Sequence, residues 1–76
     1  MKEVLEAIAK SLVDNPNDVN VTEIVNEDGT ITLELRVAPT DMGKVIGKQG
    51  RIAKAIRTVV KAAASNENKR VSVDIV

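Results

Sequence analysis

Seventy-six residues, 43% hydrophobic and 29% charged, make a globular chain of one-domain size, near the lower limit at which a hydrophobic core suffices for folding. With no cysteine and no histidine, the chain lacks the means for disulfides, thiolate metal sites, most zinc sites and the common nucleophile–base pairs, so neither an enzyme nor a metal or other cofactor is expected. The net charge of zero hides two halves: residues 1–41 carry three Lys/Arg against nine Asp/Glu (−6), residues 42–76 eight against two (+6), an asymmetry that fits either a polyanion partner or pairing of the halves with each other.

From Lys2 to Val13, Val4, Leu5, Ile8, Ala9 and Leu12 recur at helical spacing, and Asn15-Pro16-Asn17 stops the pattern. Glu3, Glu6 and Lys10 within this segment argue against a signal peptide or a membrane span, so a cytoplasmic protein with no membrane partner is expected. Val19–Val25 is rich in β-branched residues, with Glu23 interrupting its alternation. Asn26-Glu27-Asp28-Gly29 is a hairpin signal, and Thr30–Val37 alternates, placing Ile31, Leu33, Leu35 and Val37 on one face. Pro39-Thr40-Asp41 ends this strand and offers Thr40 or Asp41 as an N-cap for a short helix, Met42–Ile46. A longer helix runs from Arg51 to about Ala64, with Ile52, Ile56, Val59 and Ala63 as its apolar stripe. Ser65–Asn68 is a polar exit loop, and Val71, Val73 and Ile75 mark a final strand. The order α-β-β-α-α-β, in one domain over residues 1–76, implies an α+β two-layer sandwich in which three helices cover a three-stranded sheet. The last strand is reached through two helices, which allows a parallel pairing and hence a mixed sheet.

Val45-Ile46-Gly47-Lys48-Gln49-Gly50-Arg51-Ile52 is the most informative stretch. Two glycines around two polar residues let the backbone reverse between helices and leave main-chain N–H groups open to a ligand. The second glycine adjoins a helix N-terminus, which favours an anion such as phosphate. A plain helix–turn–helix corner explains the glycines about as well. Between Met42 and Ala64, however, stand Lys44, Lys48, Arg51, Lys54, Arg57 and Lys61 with no acidic residue, several of them like-sign neighbours at helical spacing. A nucleic-acid backbone would neutralise that repulsion; the acidic half of the chain, or an acidic protein, is the competing explanation. A nucleotide-binding P-loop does not fit Gly43-Lys44-Val45-Ile46-Gly47-Lys48-Gln49, which has three residues between its glycines and Gln49 where a Ser/Thr belongs, so no small-molecule substrate is expected.

Val45-Ile46, then Gly47-Lys48-Gln49-Gly50, then Ile52 and Ile56 on a helix resemble the signature of the KH domain, and the α-β-β-α-α-β order is similar to its bacterial type II arrangement over the whole chain. The resemblance implies a non-catalytic module that binds about four nucleotides of single-stranded RNA. It implies that Gly47, Lys48, Gln49 and Gly50 contact phosphates and sugars. Val45, Ile46 and Ile52 would form the groove or its underlying core, and Lys44, Arg51 and Lys54 would supply flanking phosphate contacts. Ala53 stands where the family has a bulky aliphatic residue, which leaves open whether Ile52 or Ala53 lines the groove. Small members of this kind further imply a homodimer and/or a heterodimer with a larger KH-containing protein, RNA chaperoning or post-transcriptional regulation, and a link to cell-wall growth and cell length. The chain has no aromatic residue, so bases would be held by aliphatic contacts and hydrogen bonds without stacking platforms, giving modest affinity and low sequence specificity. The alternative kept beside this reading is a protein-interaction or dimerisation module with weak or no RNA binding.

Overall fold

The alternation of Ile31, Leu33 and Leu35 with Thr32, Glu34 and Arg36 places β2 (Ile31–Arg36) at the centre of a three-stranded sheet, in a computed structural model that describes all 76 residues. It pairs antiparallel with β1 (Asn20–Val25), Val21 opposite Leu35, and parallel with β3 (Val71–Ile75), Leu33 opposite Val73. The mixed sheet expected from the two-helix crossover is therefore present. One face carries α1 (Lys2–Leu12), α2 (Met42–Ile46) and α3 (Arg51–Asn66), and the other, lined by Thr22, Thr32, Glu34, Ser72 and Asp74, faces solvent. Single 3-10 turns at Pro16–Asp18, Pro39–Asp41 and Lys48–Gly50 join the elements.

The core lies between the layers: Leu5 and Ala9 from α1, Val21, Leu33, Leu35 and Val37 from the first two strands, Val45 from α2, Ile56, Val60 and Ala64 from α3, and Val71 and Val73 from β3. Glu23 points to the same side as Val21, yet only Val21 in β1 is buried, because the helices do not reach the hairpin end of that strand. The interruption in the alternation therefore costs nothing. The hairpin itself is a three-residue turn. Asn26 N–H bonds to Thr30 O (2.8 Å), Gly29 alone has positive φ (+89°), and the Asp28 carboxylate accepts from the Thr30 N–H and hydroxyl at 3.0 and 2.6 Å.

Three sequence expectations are corrected. The stripe of α3 that meets the sheet is Ala53, Ile56, Val60 and Ala64; Val59 is 51% exposed and Ile52 only half-buried. The helix continues two residues past Ala64, ending where Asn68 takes the left-handed conformation (φ 57°). Lys69 N–H then returns to Ala64 O at 2.9 Å and Asn68 N–H to Ser65 O at 3.0 Å, a Schellman closure with asparagine in the place usual for glycine. Asp41 sits at the N-cap of α2 but makes no capping bond. Its carboxylate is drawn away to the end of α1, where it accepts from Asp14 N (3.3 Å), Asn15 N (3.0 Å) and Asn15 Nδ2 (3.0 Å).

Candidate nucleic-acid interface

Two positive-φ glycines shape the corner between α2 and α3. Gly47 N–H closes α2 on Gly43 O at 2.8 Å, and Gly47 then takes φ 75°, ψ 176°, a region that only glycine enters readily. A Cβ there would also meet Ile52 Cγ1 at 2.5 Å, so the glycine is required both by conformation and by space. After Lys48, Gln49 (φ 59°, ψ 25°) and Gly50 (φ 73°, ψ 13°) are both left-handed, and Gly50 N–H reaches Gly47 O at 3.2 Å. No Cβ contact restricts Gly50, so its requirement is conformational alone. A left-handed glutamine is unusual among residues other than glycine, and backbone strain of this kind tends to gather where a chain does work.

The turn throws Lys48 and Gln49 into solvent and opens directly onto the N-terminus of α3. That end has no side-chain cap and no acidic residue in its first turn; the Arg51 N–H is taken up by Lys48 O, but no side chain opposes the positive end of the 16-residue helix dipole. Arg51 donates from its guanidinium to Gln49 Oε1 (3.2 Å), steadying both side chains while leaving the Gln49 amide N–H groups free.

The residues expected at the site occupy three environments. Lys48, Gln49, Arg51 and Lys54 are exposed, and Gly47 and Gly50 form the corner beneath them. Val45 is fully buried and belongs to the core, whereas Ile46 (37% exposed) and half-buried Ile52 flank the loop. Ala53 is core, so of the two neighbours Ile52 is the one available to a groove. Lys44 stands apart: its ammonium pairs with Asp14 and lies 3.9 Å from Asp41 Oδ1. The hydrogen bond it donates to the Asp14 carboxylate raises its pKa, against the opposing effect of burial, with the charges of Asp14 and Asp41 adding to the rise. Burial would raise the Asp41 carboxyl, but the Asn15 side chain, the Asp14 and Asn15 N–H groups and Lys44 together hold it below its ordinary value.

Lys44 is the one point at which the acidic and basic halves pair. The other ion pairs, Met1 amino–Glu3 and Lys2–Glu6, lie at the N-terminal end of α1. Lys48, Arg51, Lys54, Arg57 and Lys61 have no acidic partner, and Arg57 instead donates from Nε to Val73 O at 3.1 Å.

Two features escape sequence reasoning. The first is the Asp41–Asn15 clamp, which ties the end of α1 to the start of α2 and has no local signature. The second is an apolar cleft between α1 and α3, lined by Ile8, Leu12, Ile52, Ala55, Ile56 and Val59, with Arg51 at its mouth. Its signal was present in the apolar Ile52 and Val59, which the helical period had assigned to the core. Of the alanines of α3, Ala53 and Ala64 pack into the core and Ala62 is exposed.

No helix of the chain is long and apolar enough to cross a membrane. The family model described as KhpA/KhpB, KH domain, matches residues 2–75. The chain is 70% identical to RNA-binding protein KhpA of Clostridium perfringens over 76 residues, the full length of both. It is 63% identical to its namesake in Caldanaerobacter subterraneus over 76 residues, again the full length of both, and 52% identical to the one in Aquifex aeolicus over 75 residues, covering 99% of this chain and 94% of that protein. In three dimensions it superimposes on part of Era, solved in complex with MgGDPNP and nucleotides 1506–1542 of 16S ribosomal RNA. The TM-score is 0.71 at 18% identity, covering 97% of this chain and 28% of that one, a likeness of fold. With a family model spanning nearly every residue and relatives of equal length at this identity, the chain belongs to the KhpA/KhpB KH-domain family.

Proposed function

We propose that this protein is a non-catalytic, single-stranded RNA-binding module that grips the RNA backbone with Gly47, Lys48, Gln49 and Gly50. The observation that carries the reading is the corner itself. A strained, glycine-bracketed turn carries an unpaired lysine and free amide donors onto an uncapped, acid-free helix N-terminus. Phosphate fits that arrangement in charge and in hydrogen-bond polarity. Arg51 and Lys54 extend the contact, Ile46 and Ile52 give bases an aliphatic surface beside the loop, and Val45 supports it from the core. Lys44 orders the start of α2 through Asp14 and Asp41, which leaves it a secondary phosphate contact. The printed names of the relatives, RNA-binding protein KhpA, favour the same ligand.

The family resemblance extends the reading to RNA chaperoning or post-transcriptional regulation connected with cell-wall growth and cell length, carried out in the cytoplasm. It also suggests a homodimer and/or a heterodimer with a larger KhpB-like KH protein. The α1–α3 cleft supports the dimer, since Leu12 and Val59 expose 38% and 51% of their surface beside Ile8 and Ala55. Because Arg51 and Ile52 border both this cleft and the loop, dimerisation and RNA binding are coupled. Sedimentation with and without RNA measures that coupling.

The direct test is fluorescence-anisotropy titration of a short single-stranded RNA with wild type and the Lys48→Asp/Gln49→Asp variant. Both side chains are exposed, so the variant folds, as its circular dichroism will show. The expected result is loss of binding, and wild-type affinity in the variant sinks the loop reading in favour of a protein-interaction module.

A further inference from the structure

The basic surface of α3 continues far from the loop. Lys54, Thr58, Lys61 and Ser65 follow at i, i+4, i+7 and i+11, all exposed, on a face of α3 distinct from both its core stripe and its apolar cleft. At the end of this line the Schellman closure fixes Lys69, whose N–H returns to Ala64 O (2.9 Å), and Arg70 O then accepts from Ile31 N–H (2.9 Å). The main chain of both residues is thus pinned while their side chains stand in solvent. Lys61, Ser65, Lys69 and Arg70 converge with Val71 on one surface cleft, and Lys61 and Arg70 border a second with Thr30, Val71 and Ser72. No acidic side chain lines either cleft, and none pairs with Lys61, Lys69 or Arg70. Asp28 borders an adjoining surface with Lys69 and Arg70, where the Thr30 hydrogen bonds that engage its carboxylate lower its pKa and the Arg70 charge adds to the lowering.

The edge of β3 adds a main-chain donor. Arg70 O and Val76 N–H face β2, so by the alternation of a ladder the main-chain groups of Val71 and Val73 point outward. Arg57 occupies Val73 O, and the Val71 N–H is left on the outer edge next to Lys61 and Ser65. The negative end of the helix dipole rewards a nearby cation only modestly. Three cations converging on clefts that no carboxylate lines, with only Asp28 beside Arg70 on the adjoining surface, leave an excess of positive charge that calls for an anion from outside.

The geometry points to a second phosphate-binding surface at the turn from α3 into β3, built from Lys61, Ser65, Lys69 and Arg70, that takes the backbone of the same RNA strand held by the Gly47–Gly50 loop. It rests on the loop reading and lengthens it. Arg51 and Ser65 are separated by about 20 Å of helix, so the strand that engages both ends is longer than the roughly four nucleotides a loop clamp takes.

The test compares unstructured RNAs of about four and about twelve nucleotides, lengths within the range single-strand binders cover. Anisotropy is read at several salt concentrations for wild type, for a Lys61→Gln/Lys69→Gln/Arg70→Gln variant and for the loop variant. Wild type is expected to bind the longer RNA more tightly, with a slope of log K against log salt steeper by about 2 (three contacts at ~0.7 each). The triple variant loses that increment and keeps its short-RNA affinity. Over a fourfold rise in salt, wild type then loses roughly 20-fold more affinity for the longer RNA than the triple variant does. Unchanged affinity and slope for the longer RNA in the triple variant, or equal loss for both lengths, overturns the second surface whatever the loop variant does. Loss of short-RNA binding in the loop variant alone tests the loop separately.

Discussion

The two glycines of the loop look interchangeable in sequence, and the structure predicts that they are not. At Gly47 an alanine must hold φ 75°, ψ 176° and push its Cβ against Ile52 Cγ1, Cδ1 and Cβ at 2.5, 2.8 and 2.9 Å. Strain in a sparsely populated backbone region costs about 1–3 kcal/mol and overpacking a similar amount, so Gly47→Ala should destabilise by roughly 2–6 kcal/mol. At Gly50 the conformation is ordinary left-handed helix with nothing near the added methyl, and the cost is about 1–2 kcal/mol. For a domain of this size, whose whole stability is on the order of 4–11 kcal/mol, the first substitution approaches unfolding and the second does not. Urea denaturation followed by circular dichroism reads the difference: with a slope of about 1 kcal/mol per molar, Gly50→Ala lowers the midpoint by about 1–2 M and Gly47→Ala by at least twice that. Adding Ile52→Ala to Gly47→Ala removes Cγ1 and Cδ1 but leaves Cβ, so the pair is non-additive, with Ile52→Ala costing less in the variant than in wild type by about 0.5–3 kcal/mol. Equal midpoints for the two glycine variants, or strict additivity with Ile52→Ala, would refute the reasoning.

Ile56 and Val59, one helical turn apart, should behave oppositely: Ile56→Ala costs about 2–5 kcal/mol and Val59→Ala stays within about 0.5 kcal/mol in the same assay. Val59→Asp, at an exposed position beside the apolar cleft, should leave the circular dichroism spectrum intact and shift sedimentation toward the monomer; an unchanged sedimentation profile removes that cleft from the dimer. Asp41 has a folded pKa below its ordinary 3.8, so the stability it contributes is present above that pH and lost as pH falls through the lower folded value. Asp41→Asn should therefore flatten the decline of the urea midpoint below about pH 4. Asp28, lowered chiefly by the Thr30 hydroxyl, and Glu3, lowered chiefly by its own main chain, leave a residual slope. Gln49→Gly removes a left-handed non-glycine residue and should raise the urea midpoint by up to about 1 M while weakening RNA binding.

Elements whose information is local were legible in the sequence. The strand alternation of residues 31–37, the breaking power of Asn15-Pro16 and the two glycines placed the sheet, the first helix and the loop corner where the structure has them. What failed required knowledge of neighbours. Helical period defines a stripe, but Ile52, Ile56 and Val59 fit it as well as Ala53, Ile56 and Val60; only the position of α1, which ends at Leu12, decides that Val59 overhangs the core while Ala53 fills it. Asp41 followed by a helix reads as a cap, and it took the return of Asn15, 26 residues away in sequence, to claim its carboxylate. Lys44 reads in the sequence as one of six uncompensated cations, and only the fold brings Asp14, 30 residues away, beside it. The remaining unpaired cations were legible in the sequence as an acid-free run, but their continuation through Lys69 and Arg70 was not, because the turn that brings these two to Lys61 hides in a polar exit loop.

The most direct test of the central claim is the salt dependence of binding to a single-stranded RNA of about four nucleotides. If the Gly47–Gly50 loop and the first turn of α3 neutralise about four phosphates, log K against log salt falls with a slope near −3, at ~0.7 per contact. The Lys48→Asp/Gln49→Asp variant should show no measurable binding at any of these salt concentrations. A slope near zero in wild type, or the same slope and affinity in that variant, would contradict the account.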